Sequence, residues 1–327
     1  MNKIYTSVAV FIIFTCTIKA QFAGNASDKN NTNAIHRDSI IIIDWAKTCK
    51  VDRGPMDISN PELGLASAGE EINAIGKASG NSIVSLGDGG SAILTFDPPI
   101  ANGNGYDFAV FENSFSDTFL ELAHVEVSSD GVNFFRFPSI SNTSIDNQVD
   151  GFGSLDATKI HNLAGKFRVF FGTPFDLDEL KETKNLDVMK ITHVKIADVI
   201  GSIDENLGSK DSKGNLINDP FPTPFPSGGF DLDAVGVIHN STTVHSFSIS
   251  NPTISIYPNP VYDKLNIQSD LPIENLYITN LLGNIMYQET NMYTSNFQIA
   301  LNNYKKGVYL VYIQQNNNYY TTKIIVQ

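Results

Sequence analysis

Cysteine is nearly absent from this 327-residue chain, which has two, Cys16 and Cys49. Cys16 lies inside the apolar run from Ile4 to Ile18 that follows Lys3. That run is short for a membrane span and suits the core of an export signal. Cleavage is expected after Ala20, leaving Gln21 first, although Ile18 is large for the third position before the cut. Lipoprotein processing at Cys16 is the rival, but Phe14-Thr15 fits a lipobox poorly. Once the signal is removed, Cys49 stands alone, so no internal disulfide forms in the mature chain and stability has to come from burial or bound ions. A small buried thiol is the ordinary reading of Cys49, since no local signature supports a nucleophile partnered by His36, His124 or His161.

Clustered Lys and Arg are also missing, and the formal net charge is −13. Nucleic acid and anionic lipid both need basic clusters to replace counterions, so neither is expected as a partner. No second membrane-length apolar run follows the signal. Gly-x-Ser-x-Gly, His-Glu-x-x-His, a P-loop and paired metal-binding cysteines are all absent, which leaves a non-catalytic protein as the expectation. His124 and Glu126 share a strand face, a pairing that is usually incidental.

Hydrophobic residues make up 42% of the chain, and Phe and Tyr are abundant. Roughly 230 residues separate the signal from the C-terminal segment, enough for one sizeable core. Residues 21–38 are rich in Asn, Ser and Asp and are expected to be a disordered leader. Strands are predicted at Ser39–Trp45, Ser82–Leu86, Ser91–Phe96, Asp107–Glu112, His124–Ser129, Phe134–Phe137, Lys166–Phe171, His193–Val199 and Phe230–Val237. One helix is possible near Asp176 to Lys184. The class predicted is all-β, a sandwich or jelly roll over 39–240, then a linker at 241–250 and a smaller β-sandwich over 251–327.

The last segment opens on Tyr257-Pro258-Asn259-Pro260. It continues through Lys264-Leu265-Asn266-Ile267, Tyr277-Ile278-Thr279-Asn280-Leu281-Leu282-Gly283 and Lys306-Gly307-Val308-Tyr309-Leu310-Val311-Tyr312-Ile313 to Lys323-Ile324-Ile325-Val326. Leu265 and Ile267, and then Val308, Leu310 and Tyr312, alternate as strands with one buried face do. Pro258 and Pro260 belong to an edge or connection, and Gly283 and Gly307 to turns. The series resembles the type A C-terminal sorting domain of the type IX secretion system of Bacteroidota, an Ig-like sandwich. The resemblance implies the secretion machinery and a sortase-like peptidase as partners, and a final location in the medium or on the outer-membrane surface.

The stretch Val125-Glu126-Val127-Ser128-Ser129-Asp130-Gly131-Val132-Asn133-Phe134 reads as a hairpin, because Asp-Gly tolerates positive φ and Phe134 then folds back on the core. With Gly89-Gly90-Ser91-Ala92-Ile93-Leu94-Thr95-Phe96 and the late Asp231-x-Asp233 strand, it resembles a galactose-binding-like domain over 39–240. Together with Asp107-Phe108-Ala109-Val110-Phe111-Glu112-Asn113 it is also similar to little-characterised surface proteins that carry sorting domains. That second resemblance implies a link to outer-membrane uptake of nutrients, cobalamin included.

Asp107 and Glu112 are five apart and fall on opposite faces of a regular strand. Asp231 and Asp233 are two apart and share a face, where repulsion calls for a cation or a basic partner. Calcium is the candidate there, with Glu112, Asn113 and Glu121 as weaker ligands. Asp204 to Asp219 lacks the spacing and terminal Glu of a calcium loop, so a Gly-Asn hairpin is expected. The prolines of Pro220-Phe221-Pro222-Thr223-Pro224-Phe225-Pro226 stiffen a loop bearing Phe221 and Phe225. Phe221, Phe225 and Trp45 are the candidate ligand-binding aromatics, able to stack on a sugar or other planar ligand unless they are packed over the end of the sandwich. The function expected is binding of a glycan or small ligand, with nutrient capture at an outer-membrane transporter and polysaccharide hydrolysis as alternatives.

Overall fold

A computed structural model describes residues 22–28, 30–242, 254–315 and 318–327. The export signal at 1–20, the linker from 243 and the opening of the last segment at 251–253 lie outside the described residues. The first strands are β1 (Ile35–His36), β2 (Asp44–Trp45), β3 (Thr48–Asp52), β4 (Val84–Ser85), β5 (Ser91–Ile100), β6 (Phe108–Glu112) and β7 (Ala123–Ser128). Next come β8 (Phe135–Arg136), β9 (Ile140–Ser141), β10 (Ile160–His161), β11 (Phe171–Phe175), β12 (Ile191–Asp198) and β13 (Asp231–Val237). No α-helix occurs among the described residues; the expected helix is a 3-10 turn at Leu177–Leu180.

Two antiparallel sheets share one core. The first runs β1-β11-β6-β13-β2 with β4 also on β13, and the second runs β3-β5-β12-β7-β8. Strand β5 alternates half-buried and buried residues up to Phe96. It thereby delivers Ala92, Leu94 and Phe96 to a core that also contains Phe108, Val110, Val125, Val127, Val194, Ile196, Val235 and Val237. Burying such aliphatic and aromatic side chains contributes about 1.5–3 kcal/mol each before conformational entropy is counted. Strands β6 and β13 are buried along their whole length, because a second apolar layer of Ile35, Ile41, Ile42, Trp45, Ala78, Phe111 and Ala234 covers the outer face of their sheet.

That layer corrects the leader. Residues 30–38 carry strand β1, whose Ile35 pairs with Gly172, and further upstream Phe22 stacks on His161 at 4.9 Å. Ala34 and Ile35 are buried, so these few apolar residues tether a polar segment that composition alone marks as disordered. The strand expected at Ser39–Trp45 shrinks to β2, while Ile41 and Ile42 pack against the outer apolar layer. The Lys166–Phe171 strand begins only at Phe171. Phe170 before it adopts a left-handed φ of 73° with the Arg37 guanidinium 4.0 Å from its ring centre. The Asp130-Gly131 turn is as expected, with Asp130 accepting the N–H groups of Val132 and Asn133. Phe134 lies against His193, however, and it is Phe137 that enters the core.

The last five strands are β14 (Ser255–Tyr257), β15 (Lys264–Asn280), β16 (Ile285–Ala300), β17 (Gly307–Gln315) and β18 (Asn318–Val326). They form an antiparallel arrangement in the order β14-β15-β17-β18, with β16 on β15. Its own core holds Val261, Leu265, Ile267, Leu276, Ile278, Tyr309, Val311, Ile313 and Ile324. In β17 the buried set is Tyr309, Val311 and Ile313, not Val308, Leu310 and Tyr312. Both faces of that strand are apolar, so alternation could not choose between them.

Candidate functional site

At one end of the sandwich, three loops bring four phenylalanine rings into a continuous run. Phe115 and Phe119 lie on the loop after β6, Phe152 on the loop between β9 and β10, and Phe225 on the proline-rich loop before β13. Phe115 stacks on Phe119 at 4.5 Å and 16°. Phe119 stands 6.1 Å from Phe152 at 26°, and Phe152 stands 5.6 Å from Phe225 at 42°. Phe115, Phe152 and Phe225 are 70%, 68% and 40% exposed, whereas Phe119 is 8% exposed and acts as the buried anchor between them. Exposed rings held on short tethers form a preorganised apolar surface at low entropic cost.

Local chemistry fixes these loops. Ser116 Oγ accepts the Phe119 N–H at 2.9 Å, and the Ser114 hydroxyl donates to the Phe119 carbonyl. Leu155 N–H donates to the Thr118 carbonyl at 2.7 Å, and Phe221 N–H to Val149 at 3.1 Å. Beneath them, Leu120, Leu122, Leu155, Ile160, Leu163, Val199 and Ile217 form a separate small core.

The strands and loops that lead into the ribbon also carry a group of buried acids. Glu112 ends β6, Asp231 opens β13, Glu121 precedes β7, Asp198 ends β12, and Asp219 sits in the loop before Phe221. Burial drives the carboxyls of Glu112, Glu121, Asp198 and Asp219 well above their ordinary range, and mutual repulsion adds to the shift at the two glutamates. Burial pushes Asp231 up to about 7, although a hydrogen bond from the Ser85 hydroxyl opposes it. Asp88 nearby is pushed to about 6, again chiefly by burial. Asp198 is fully engaged, accepting Gly89 N–H at 2.8 Å and Phe230 N–H at 2.7 Å.

The residues singled out in the sequence divide between these features. Phe225 joins the ribbon, but Phe221 is 8% exposed and packs inward. Trp45 packs against Phe111 with ring centres 5.4 Å apart and planes tilted by 49°, in the layer covering the first sheet. Glu112 and Asp231 come together, whereas Asp233 departs. A register shift between Leu232 and Ala234 breaks the alternation of β13, which is how a bulge defeats a period-two argument. Asp233 accepts Ser79 N–H and Gly80 N–H, each at 2.9 Å, and so pins a turn. Asp107 and Glu112 stand apart as expected, with Asp107 accepting from Leu177 N–H at 2.7 Å. Asp211 organises a tight Gly-Asn turn by accepting the N–H groups of Lys213 and Asn215. Glu126 pairs with Arg136 and Lys195, while both nitrogens of the buried His124 ring lack a hydrogen-bond partner. Cys49 is buried in the core, and burial pushes its thiol up to about 12.

Phe115, Phe119, Phe152, Asp198 and Asp219 escape sequence reasoning. Only the loop folding joins them, since no shared strand or spacing does. A separate open recess lies along Val51, Arg53, Glu70, Glu71 and Ile72; its arginine is committed to the carbonyls of Ala68, Gly69 and Ser85.

In the last segment, Asn259 donates to the Lys323 carbonyl at 2.8 Å and accepts Ile325 N–H at 2.9 Å. Gly283 takes a left-handed φ of 77° in the β15–β16 turn. Tyr257 is exposed, and Gly307 opens β17. No helix among the described residues is long and apolar enough to cross a membrane.

Residues 255–327 match the secretion system C-terminal sorting domain. An 88-residue stretch is 33% identical to ulvan lyase NLR42 of Nonlabens ulvanivorans, covering 26% of this chain and 16% of that protein. Among solved structures, PorZ, a surface component of the type IX secretion system of Porphyromonas gingivalis, is 17% identical over 29% of this chain and 14% of its own, with a TM-score of 0.20. The BSP domain of a biofilm associated protein is 12% identical over 72% of this chain and 48% of its own, also at 0.20. The likeness to a lyase overturns the expectation of a non-catalytic protein, which rested only on missing motifs. Residues 255–327 are a type IX sorting domain of the Bacteroidota kind, and the chain leaves the cell by that route for the surface or the medium.

Proposed function

We propose that the N-terminal sandwich engages polysaccharide at the cell surface, stacking sugar rings on Phe115, Phe152 and Phe225. The observation carrying this reading is the run of four rings, three of them exposed, on loops braced by hydrogen bonds. The flat apolar faces of pyranose rings suit such a surface. The partial likeness to a lyase named for the polysaccharide ulvan supports the same substrate class. Two facing antiparallel sheets and the Ser128-to-Gly131 turn support placing the sandwich among galactose-binding-like domains. Removal of the sorting domain by a sortase-like peptidase completes the reading.

The test is affinity electrophoresis of the full chain through gels containing ulvan or other polysaccharides, with release of reducing ends followed over time in the same samples. Retardation that saturates with polysaccharide is the expected result, and accumulating ends would identify cleavage as the activity. Unretarded migration on every polysaccharide, together with a melting shift produced by a corrinoid, would replace this reading with nutrient capture.

A further inference from the structure

The second sheet turns one face to the core and leaves much of the other open. In β5 and β12 it is Ala92, Leu94, Val194 and Ile196 that enter the core, so Ile93 and Lys195 stand on the opposite face, where both are half-buried. On the edge strand β3, Lys50 is exposed. The face closes only toward β7, where His124 and Ser128 are buried. Lys50 pairs with Ile93, Ile93 with Lys195, Lys195 with Glu126, and Glu126 with Arg136. Directly opposed residues of antiparallel strands share a face, so these five form one row across the whole sheet. Glu126 Oε1 accepts Arg136 Nε at 2.9 Å and Nη2 at 2.7 Å, and its Oε2 lies 3.6 Å from Lys195 Nζ. One acid thus steadies two cations while cancelling a single charge. Lys50 has no ion pair among the described residues. Three cations less one carboxylate leave two positive charges in excess on the row, in a chain whose formal net charge is −13. In the flanking rows Thr48, Thr95 and Ser91 contribute hydroxyls, and Asp52, at the end of β3, is the one carboxylate.

We infer that the row of Lys50, Lys195 and Arg136 binds an anionic polysaccharide, one bearing carboxylate or sulfate groups at intervals, which rests on the reading that the sandwich engages polysaccharide and adds the charge class of that polymer. Neighbouring strands lie about 4.8 Å apart, so cations on every second strand recur at about 10 Å. Duplex nucleic acid carries a charge about every 1.7 Å and calls for dense basic clusters, which this face lacks. A sugar polymer with an acid group on only some of its residues spreads its charges more widely. Ile93, between the two lysines, gives the uncharged part of such a chain an apolar floor. Beside it the Thr48 and Thr95 hydroxyls, 2.6 Å apart, offer hydrogen-bond partners to sugar hydroxyls. The three cations come from β3, β12 and β8, so only strand register brings them into line.

The full chain would be run through gels containing polygalacturonate or dextran sulfate, each beside its uncharged counterpart, the methyl ester or dextran. At least one charged polymer should retard the chain more than its counterpart does, and which of them does so tells carboxylate from sulfate recognition. That retardation should fall about tenfold when salt is raised about tenfold, and by a similar factor in the double variant Lys50→Gln, Lys195→Gln at low salt. The double variant Lys184→Gln, Lys264→Gln, which removes the same charge from exposed lysines elsewhere, should match the unaltered chain. If the first double variant fails to fold, Lys50→Gln alone, at an exposed position, takes its place. Equal retardation by charged and uncharged polymers would overturn the inference and leave polysaccharide binding standing. Absence of retardation by both charged polymers, or full retention in the Lys50 variants, would overturn it too. So would displacement by an equal mass of duplex DNA, the mark of a general polyanion site. Retention lost in the Lys50 variants but kept in Phe152→Ala would uphold the row and remove the ribbon from the site.

Discussion

The ring centres of Phe152 and Phe225 lie 5.6 Å apart with their planes tilted by 42°, although they arrive on different loops. Gly151 permits the approach, since a Cβ there would come within 2.4 Å of the Pro222 carbonyl oxygen. Replacing Phe152 by alanine should weaken polysaccharide retention by about tenfold while moving the melting temperature little, because that ring is 68% exposed and little buried area is lost. Phe221→Ala should do the reverse, costing about 3 kcal/mol of stability through the cavity it leaves. Parallel gel retardation and thermal melts would show the contrast.

Asp233 pins the turn at Ser79 and Gly80. Its carboxylate is the acceptor for both, so Asp233→Ala leaves half-buried donors unmet. The loss should be about 2 kcal/mol in chemical denaturation. An unchanged unfolding midpoint would show that the turn holds without it.

His124 sets a pH response. Burial, reinforced by the nearby Arg136 charge, lowers its pKa to about 4, against about 6.5 for an unfolded imidazole. The folded value is the lower one, so the unfolded chain binds more protons between them. Stability is therefore full above about pH 6.5 and falls as pH drops toward 4, by as much as about 3 kcal/mol from this group. His124→Leu should flatten that part of the profile, measured as the difference between the two proteins' unfolding free energies across the range.

Cys49 should resist iodoacetamide in the native protein and react fully after denaturation. Its thiol is buried and pushed up to about 12 by that burial, then by the Glu71 charge, and only the thiolate attacks. Mass spectrometry of the labelled protein would report native modification if the site opens.

Asn259 clamps the edge of the sorting domain to its final strand through Lys323 and Ile325. Asn259→Ala should cost that domain about 1–2 kcal/mol and lower the amount of chain reaching the surface. Its tail melting and surface yield, compared with the unaltered chain, would check this.

Much of the strand content was legible, because β6, β7, β12 and β13 are runs of β-branched and aromatic residues between clear turn signals. The sorting domain was legible as an ordered set of motifs. Its buried face in β17 was not, since Val308 to Ile313 is apolar on both sides. The leader misled for the opposite reason: Phe22, Ala34 and Ile35 are too few to colour its composition, yet each finds a place on the sandwich.

What the sequence determined by itself was the all-β class, the export route and the turns built on Asp130 and Asp211. These follow from local periodicity, composition and short-range hydrogen bonding. Tertiary structure alone decided which acids meet and which rings are exposed. A register shift in β13 sends Asp233 away from Asp231, and loop folding gathers Phe115, Phe119, Phe152 and Phe225 from three stretches with no common spacing. Such long-range meetings are set by packing of the whole sandwich, which no local pattern encodes.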